Sequence, residues 1–247
     1  MQTESTSPKF ARAFAIGCGG IATSQDTLLP GSVALFGSPG RRRLLEQARA
    51  EGRDYFYGDH AFYRRGRYYR ITKNATQYVP TAAAIAAARP ERFTACHVDL
   101  HPEWRNSGTS IVICPNSPIY MGWFGIDAHQ WVLDVVNTLG QLTDRPLVVR
   151  WKTQAQHRPL YVDLHDAYMT VVFSSNAAVE SLAAGVPVCV LAPWATTAQM
   201  GITDLAQIET PIRPECRESF LWCLAEHQWT LAEMEAGLAW KALNDPL

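Results

Sequence analysis

Apolar residues along this chain gather in short runs closed by glycine, proline or small polar residues. Between the runs lie stretches in which apolar positions recur every three or four residues. The second half shows this most clearly. TSIVICPNS (109–117) and RPLVVRWK (145–152) are β-branched runs, and AHQWVLDVVNTLGQL (128–142) between them spaces Trp131, Val135 and Leu139 at helical intervals. MTVVFSSNAAVESLAAGVPVCVLAP (169–193) then gives a strand, a helix and a strand. Alternation of this kind predicts parallel strands with helices on both faces.

The first half is less regular. AFAIGCGGIA (13–22) suggests a first strand and a glycine turn. Val33–Phe36 is a short β-like run, and RRRLLEQARAEG (41–52) sets Leu44, Leu45 and Ala48 on one helical face before Gly52. DYFYGD (54–59) and RYYRITKN (67–74) read as strands about a turn at Gly66. Strand, helix, strand over about 30 residues begins a parallel α/β unit. TAAAIAAARPERF (81–93) predicts a short alanine helix stopped at Pro90, and the tail from Glu218 to Leu243 predicts one or two helices. The polar HPEWRNSG (101–108) marks the boundary. The expectation is an N-terminal α/β domain over 1–105 and a C-terminal Rossmann-like domain over 106–247 that carries the final helices.

Composition narrows the classes. With 247 residues, 47% hydrophobic, 18% charged and a net charge of −1, the chain has the makeup of a soluble globular protein. It has no overall attraction for nucleic acid or membrane, so any basic site is local. No run reaches the roughly 18 apolar residues of a membrane span, and the polar MQTESTSPKF lacks a secretion core, so the expected compartment is the cytoplasm. Six cysteines without a C-x-x-C pair argue against a disulfide framework or zinc knuckle. The two histidines of HVDLH (97–101) have no third ligand nearby, and no metal is expected.

The chemistry concentrates where the strand ending at Phe173 runs into Ser174, Ser175 and Asn176 and a helix begins at once. Serine and asparagine cap helix starts, and unpaired N–H groups there favour an anion such as phosphate. Glu180 lies within that helix and Gly185 ends it. An ordinary capped βαβ unit would look the same from local physics alone. Arg150 and Lys152 close the preceding strand at the same carboxyl edge, where open α/β sheets bind ligands; a solvated strand end is the plain alternative.

The pattern S-x-x-x-x-E-S-x-x-x-G-x-P from Ser175 to Pro187 resembles the donor-binding element of GT-B glycosyltransferases and of the UDP-N-acetylglucosamine epimerases. The resemblance covers roughly residues 109–200. It implies a compact GT-B-like α/β fold, two Rossmann-like parallel-sheet halves around a cleft, with the N-terminal half abbreviated because the chain is short. It assigns Ser174, Ser175 and Asn176 to the diphosphate and Glu180 to the ribose; Arg150 and Lys152, at the same carboxyl edge, would then neutralise charge on the leaving group, and Ser117 is a further donor-side candidate. No cofactor is required; the co-substrate is a nucleotide sugar, with a UDP-sugar first. The tail LAEHQWTLAEMEAGLAWKAL (224–243) and the YFYGDHAFY…YYRITKN arrangement resemble phage-encoded glycosyltransferases, some of which modify hydroxymethylated DNA bases. A phage origin would put the protein in the host cytoplasm.

On that basis DYFYGDHAFYRRGRYYRITKNA (54–75), with five of the nine tyrosines, becomes the acceptor wall. Asp59 is the expected general base with His60 beside it, against the alternative that Asp59 caps a turn. Tyr63, Arg64, Arg65, Arg67, Tyr69, Lys73 and Asn74 are the expected acceptor contacts, since guanidinium groups bind phosphates and aromatic rings stack on an extruded base. A plain hairpin with tyrosines packed on one face remains open. The leading expectation is sugar transfer to a hydroxymethylated base in phage DNA. The alternatives are transfer to a polysaccharide or small acceptor, sugar-nucleotide epimerisation, and a non-catalytic DNA-binding α/β protein.

Overall fold

The computed structural model describes residues 2–5, 8–23, 27–31, 33–36, 42–152 and 158–244. The chain packs as two units: residues 1–78 with 224–247, and residues 79–223. The segment 79–105, expected in the first half, thus packs with the second, and the C-terminal helices pack with the first. The first of these differences has a local cause. His101 N–H donates to the Ala183 carbonyl and Arg105 N–H to the Gly185 carbonyl, each at 2.8 Å, which ties the segment to the second unit.

The first unit opens with β1 (Gln2–Ser5), α1 (Pro8–Cys18), β2 (Ile21–Ala22), β3 (Val33–Phe36), α2 (Arg42–Ala50), β4 (Tyr55–His60) and β5 (Tyr68–Lys73). Residues 37–41, between β3 and α2, lie outside the described residues. AFAIGCGGIA is mostly helix rather than strand: α1 runs to Cys18, and only Ile21–Ala22 is extended. Gly17 misleads the sequence reading because it serves packing, not a turn. A Cβ there would collide with the Met234 carbonyl, so glycine lets a later helix lie against α1.

The second unit contains α3 (Ala82–Ala87), α4 (Pro90–Ala95), β6 (Ser110–Cys114), α5 (Pro118–Gly122), α6 (Ala128–Leu142), β7 (Leu147–Val149), α7 (Leu160–Leu164), β8 (Ala167–Val172), α8 (Ala177–Ala183) and β9 (Val188–Val190). Helix α9 (Arg217–Glu226) spans the point of division. β10 (Trp229–Thr230), α10 (Leu231–Glu235) and α11 (Leu238–Asn244) then complete the first unit. No helix among the described residues is long and apolar enough to cross a membrane.

The sheet of the first unit has the order β10-β5-β4-β3-β1-β2. Its β2, β1, β3 and β4 are parallel, as the strand–helix–strand spacing predicts, whereas β5 pairs antiparallel with β4 and β10 antiparallel with β5. The aromatic stretch is therefore a hairpin at one side of a mixed sheet. Its core gathers Phe10, Phe14, Phe56, Ile71, Trp229 and Met234, with Tyr69 and Trp240 packed against them. The capping box of α10, with Thr230 and Glu233 exchanging hydrogen bonds, fixes where the last helices start.

The second sheet is wholly parallel, in the order β7-β6-β8-β9. Every residue of β6 is buried, and Ile111, Ile113, Val135, Leu139, Met169 and Val171 share one core. Strand β7, expected to be buried, is half-exposed at the sheet edge.

One buried group ties the stability of the first unit to pH. His227 stacks on Tyr78 with ring centroids 3.5 Å apart and meets the Trp229 ring edge-on at 4.9 Å. Burial pushes its pKa down to about 4, against a smaller opposing effect of a hydrogen bond with the Ile71 backbone. The unfolded chain takes up this proton near pH ~6.5, the folded chain only near pH about 4. Between these values the unfolded state binds more protons, so stability rises with pH. Denaturation midpoints measured across that interval should climb, and His227→Gln should flatten the climb.

Candidate functional site

In the order β7-β6-β8-β9, the connections after β6 and β8 lead to opposite sides, which opens a crevice outside their carboxyl ends. The crevice is bordered by Pro115–Ser117 after β6 and by Phe173–Asn176 after β8. One hydrogen bond spans it: Ser174 N–H donates to Asn116 Oδ1 at 3.0 Å. Asn116 escaped the sequence analysis because PNS reads only as a strand-ending turn.

The caps differ from expectation. Asn176 stands at the start of α8 with helical dihedrals and makes no side-chain cap bond. Ser175 Oγ instead accepts from Ala177 N–H at 3.3 Å. The Ser174 hydroxyl is buried and has no hydrogen-bond partner, which is uncommon for a buried polar atom. Ser117 caps α5, its Oγ accepting from Tyr120 N–H. Ser181 faces inward and donates to Thr170 Oγ1 at 2.8 Å, so that serine of the motif binds helix α8 to β8.

The charges at this edge are partly committed to one another. Arg150 is only 6% exposed. Its Nη1 donates to Asp163 Oδ2 at 2.8 Å and its Nη2 to the Arg158 carbonyl, while Arg158 holds the other Asp163 oxygen at 2.7 Å. Arg150 is thus placed at the expected edge but locked into a buried ion pair. Lys152 is exposed beyond it, and Glu180 is exposed on α8. The Cys114 thiol at the end of β6 registers these charges. Burial pushes its pKa up to about 12, Arg150 works against that, and Glu180 and Asp163 add to it. The thiol is therefore inert.

Aromatic rings add a wall that sequence spacing does not reveal, since its members come from four separate elements. Phe124 stacks on Trp194 at 4.8 Å and meets Phe173 at 5.8 Å. Phe173 also meets Trp194 at 5.7 Å and Trp131 at 6.5 Å. Phe173 directly precedes Ser174, which places the wall beside the strand ends.

The first unit scatters the acceptor-side residues. Asp59 lies within β4, opposite Arg70, whose Nη2 donates to Asp59 Oδ2 at 2.7 Å; His60 N–H donates to Oδ1 at 2.7 Å. Burial raises the Asp59 pKa, but Arg70 and the two hydrogen bonds outweigh it and hold the carboxyl below its usual value. That makes Asp59 a weak base. His60 is exposed at the end of β4. Tyr63 is buried, with its N–H bonded to Gln228, and Tyr69 packs on Phe10 at 5.7 Å. Lys73 pairs with Asp54 at 2.9 Å and donates to Asn244, and Asn74 closes the hairpin through Tyr55 and Asp54. Arg64, Arg65 and Arg67 are exposed together on the turn. The tyrosines thus pack as in a plain hairpin, and only these three arginines face solvent as a group.

No protein-family model matches the sequence, and a comparison with curated proteins finds no match. Solved structures do resemble the chain. One is Thermosulfurimonas dismutans KpsC, beta Kdo 2,4 transferase, at 11% identity and TM-score 0.51, covering 90% of this chain and 90% of that one. Another is the same organism's KpsC, beta Kdo 2,7 transferase, at 11% identity and TM-score 0.52, covering 96% and 98%. At this identity the likeness is one of fold, an α/β architecture with a wholly parallel second sheet that is compatible with the GT-B-like fold the motif implies, while the first sheet is mixed rather than parallel.

The Arg150–Asp163 pair sets a stability test. Asp163→Asn leaves a buried guanidinium without its counter-charge, which should cost about 3–5 kcal/mol. Replacing both partners by apolar residues, Arg150→Met with Asp163→Leu, should cost much less. Urea denaturation of the two variants measures the difference.

Proposed function

We propose that this protein is a glycosyltransferase that binds an activated sugar donor at the carboxyl edge of the second unit's parallel sheet. The observation that carries the proposal is the crevice at the β6/β8 switch point, bridged from Asn116 to Ser174 and bordered by Ser175, Asn176 and Glu180. Ligands of open α/β sheets settle at such points. The two structural neighbours, both named as transferases of Kdo, support sugar transfer by a chain of this fold.

In this reading the hydroxyls of Ser174 and Ser175 and the amide of Asn176 meet the donor phosphate, Glu180 accepts from the ribose hydroxyls, and the exposed Lys152 offsets charge on the leaving group. Arg150 takes a supporting part, because its guanidinium already serves Asp163. Preorganised donors aimed at a departing phosphate are the main electrostatic requirement of such a transfer. If the transfer inverts configuration, His60 suits the proton-accepting role better than Asp59, whose carboxylate Arg70 holds.

The test is calorimetric titration with UDP-, GDP-, dTDP- and CMP-linked sugars. One class should bind, and Glu180→Ala should weaken it at least about tenfold, as expected when a hydrogen bond to a charged group worth about 1.5–3 kcal/mol is lost. Unchanged affinity in the variant would remove the donor assignment.

DNA as acceptor is a second reading, favoured by one feature, the exposed Arg64, Arg65 and Arg67 on a single turn. Binding to a duplex should then fall steeply with salt, and Arg65→Ala with Arg67→Ala should lower the slope by about 1–2. A wild-type chain that ignores DNA would leave a saccharide or small hydroxyl compound as acceptor.

A further inference from the structure

A second concave site lies at the other end of α8. Pro102, Glu103, Trp104, Glu215, Arg217, Glu218, Ser219 and Trp222 line a cavity of about 460 Å³, within the size range of small-ligand sites. The segment 101–105 that forms one wall hydrogen-bonds to Ala183 and Gly185, where α8 ends and the chain turns into β9. The cavity therefore stands at the amino edge of the sheet, roughly 10 Å, the length of α8, from the crevice at the strand ends.

The wall is built rather than incidental. Arg217 is 3% exposed, and its guanidinium donates to the carbonyls of His101 (2.6 Å), Glu103 (3.1 Å) and Leu182 (3.3 Å). It also lies over the Trp104 ring at 5.0 Å, and Trp104 Nε1 donates to the Pro214 carbonyl at 3.2 Å. Gly185 has a positive φ of 73°, and a side chain there would run into the Glu103 carbonyl, so glycine is what lets the wall approach. Opposite, Glu218, Ser219 and Trp222 share one face of α9 at helical spacing.

The chemistry of the lining selects the ligand. An anion would meet three carboxylates, those of Glu103, Glu215 and Glu218. An organic cation would meet the buried Arg217, whose charge the carbonyls do not cancel. A neutral polyhydroxylated ligand suits the lining: its hydroxyls donate to the carboxylates without setting a charge against Arg217, while indole faces cover its C–H surfaces. We propose that this cavity is a second saccharide-binding site, which holds a neutral oligosaccharide at the amino edge of the sheet, away from the donor crevice. It rests on the transferase reading only for the source of the saccharide.

Tryptophan fluorescence and calorimetry with a panel of neutral gluco-, galacto- and manno-oligosaccharides test it without turnover. At least one should bind, Trp222→Ala and Glu215→Gln should each weaken it at least about tenfold, and Glu180→Ala should leave it unchanged. Glu215 is exposed, so its variant carries the test should Trp222→Ala fold poorly. Four results overturn the proposal: no saccharide of the panel binds; choline or spermidine binds and no saccharide does; Glu215→Gln binds as the wild type; or a nucleotide sugar displaces the saccharide. Failure of the donor assignment shows instead as nucleotide-sugar affinity insensitive to Glu180→Ala, with saccharide binding intact.

Discussion

The second unit is organised by the burial of β6. Its five residues are covered on both faces and paired in parallel on both sides, with β7 and with β8. A strand in that position cannot be joined to its neighbours by a hairpin; each connection must cross over through a helix. The connection after β6 leads to β7 and the one after β8 leads to β9, so the two leave on opposite sides and part at the carboxyl ends. The crevice, the Asn116 bridge and the position of the start of α8 all follow from that parting.

The electrostatics of the edge are a compromise between holding the loops and leaving charge available. Asp163 draws Arg150 inward and Arg158 along its other oxygen, so three charges become a fixed strut. Such a pair adds little net stability over an apolar substitute, but it sets where the chain after β7 runs. Lys152 and Glu180 stay in contact with solvent, as does the outer part of Arg158. The aromatic wall beside them supplies rigid apolar surface, and the inert Cys114 thiol adds no reactivity of its own.

The second sheet was legible in the sequence because strands buried on both faces must be written as continuous apolar runs, and β6, β8 and β9 are. Amphipathic α6 was legible for the complementary reason. The first unit was harder. Gly17 looks like a turn and is a helix contact, and β10 is too short to announce itself although it completes the sheet. At the candidate site, Ser174, Ser175, Asn176 and Glu180 stand at the strand end where the motif puts them, since strand and helix there are contiguous. Long-range partners were invisible: nothing near Arg150 in sequence points to Asp163, nothing near Asp59 points to Arg70, and Asn116 meets Ser174 across 58 positions. Spacing reports faces of one element, not meetings between elements.

The two units are written differently along the chain. Residues 79–223 form one uninterrupted stretch, while the first unit is assembled from both ends. Until residues 229–244 leave the ribosome, β5 has an open edge, and α1 lacks the cover that α10 and α11 give it. The second unit is complete well before then. Synthesis therefore favours an order in which the sheet bearing the crevice matures first and the opening helix waits, its apolar face uncovered, for the final segment. A chain stopped before Trp229 would keep an intact second sheet and a first unit prone to aggregate, so residues 229–244 decide the fate of α1 and β5.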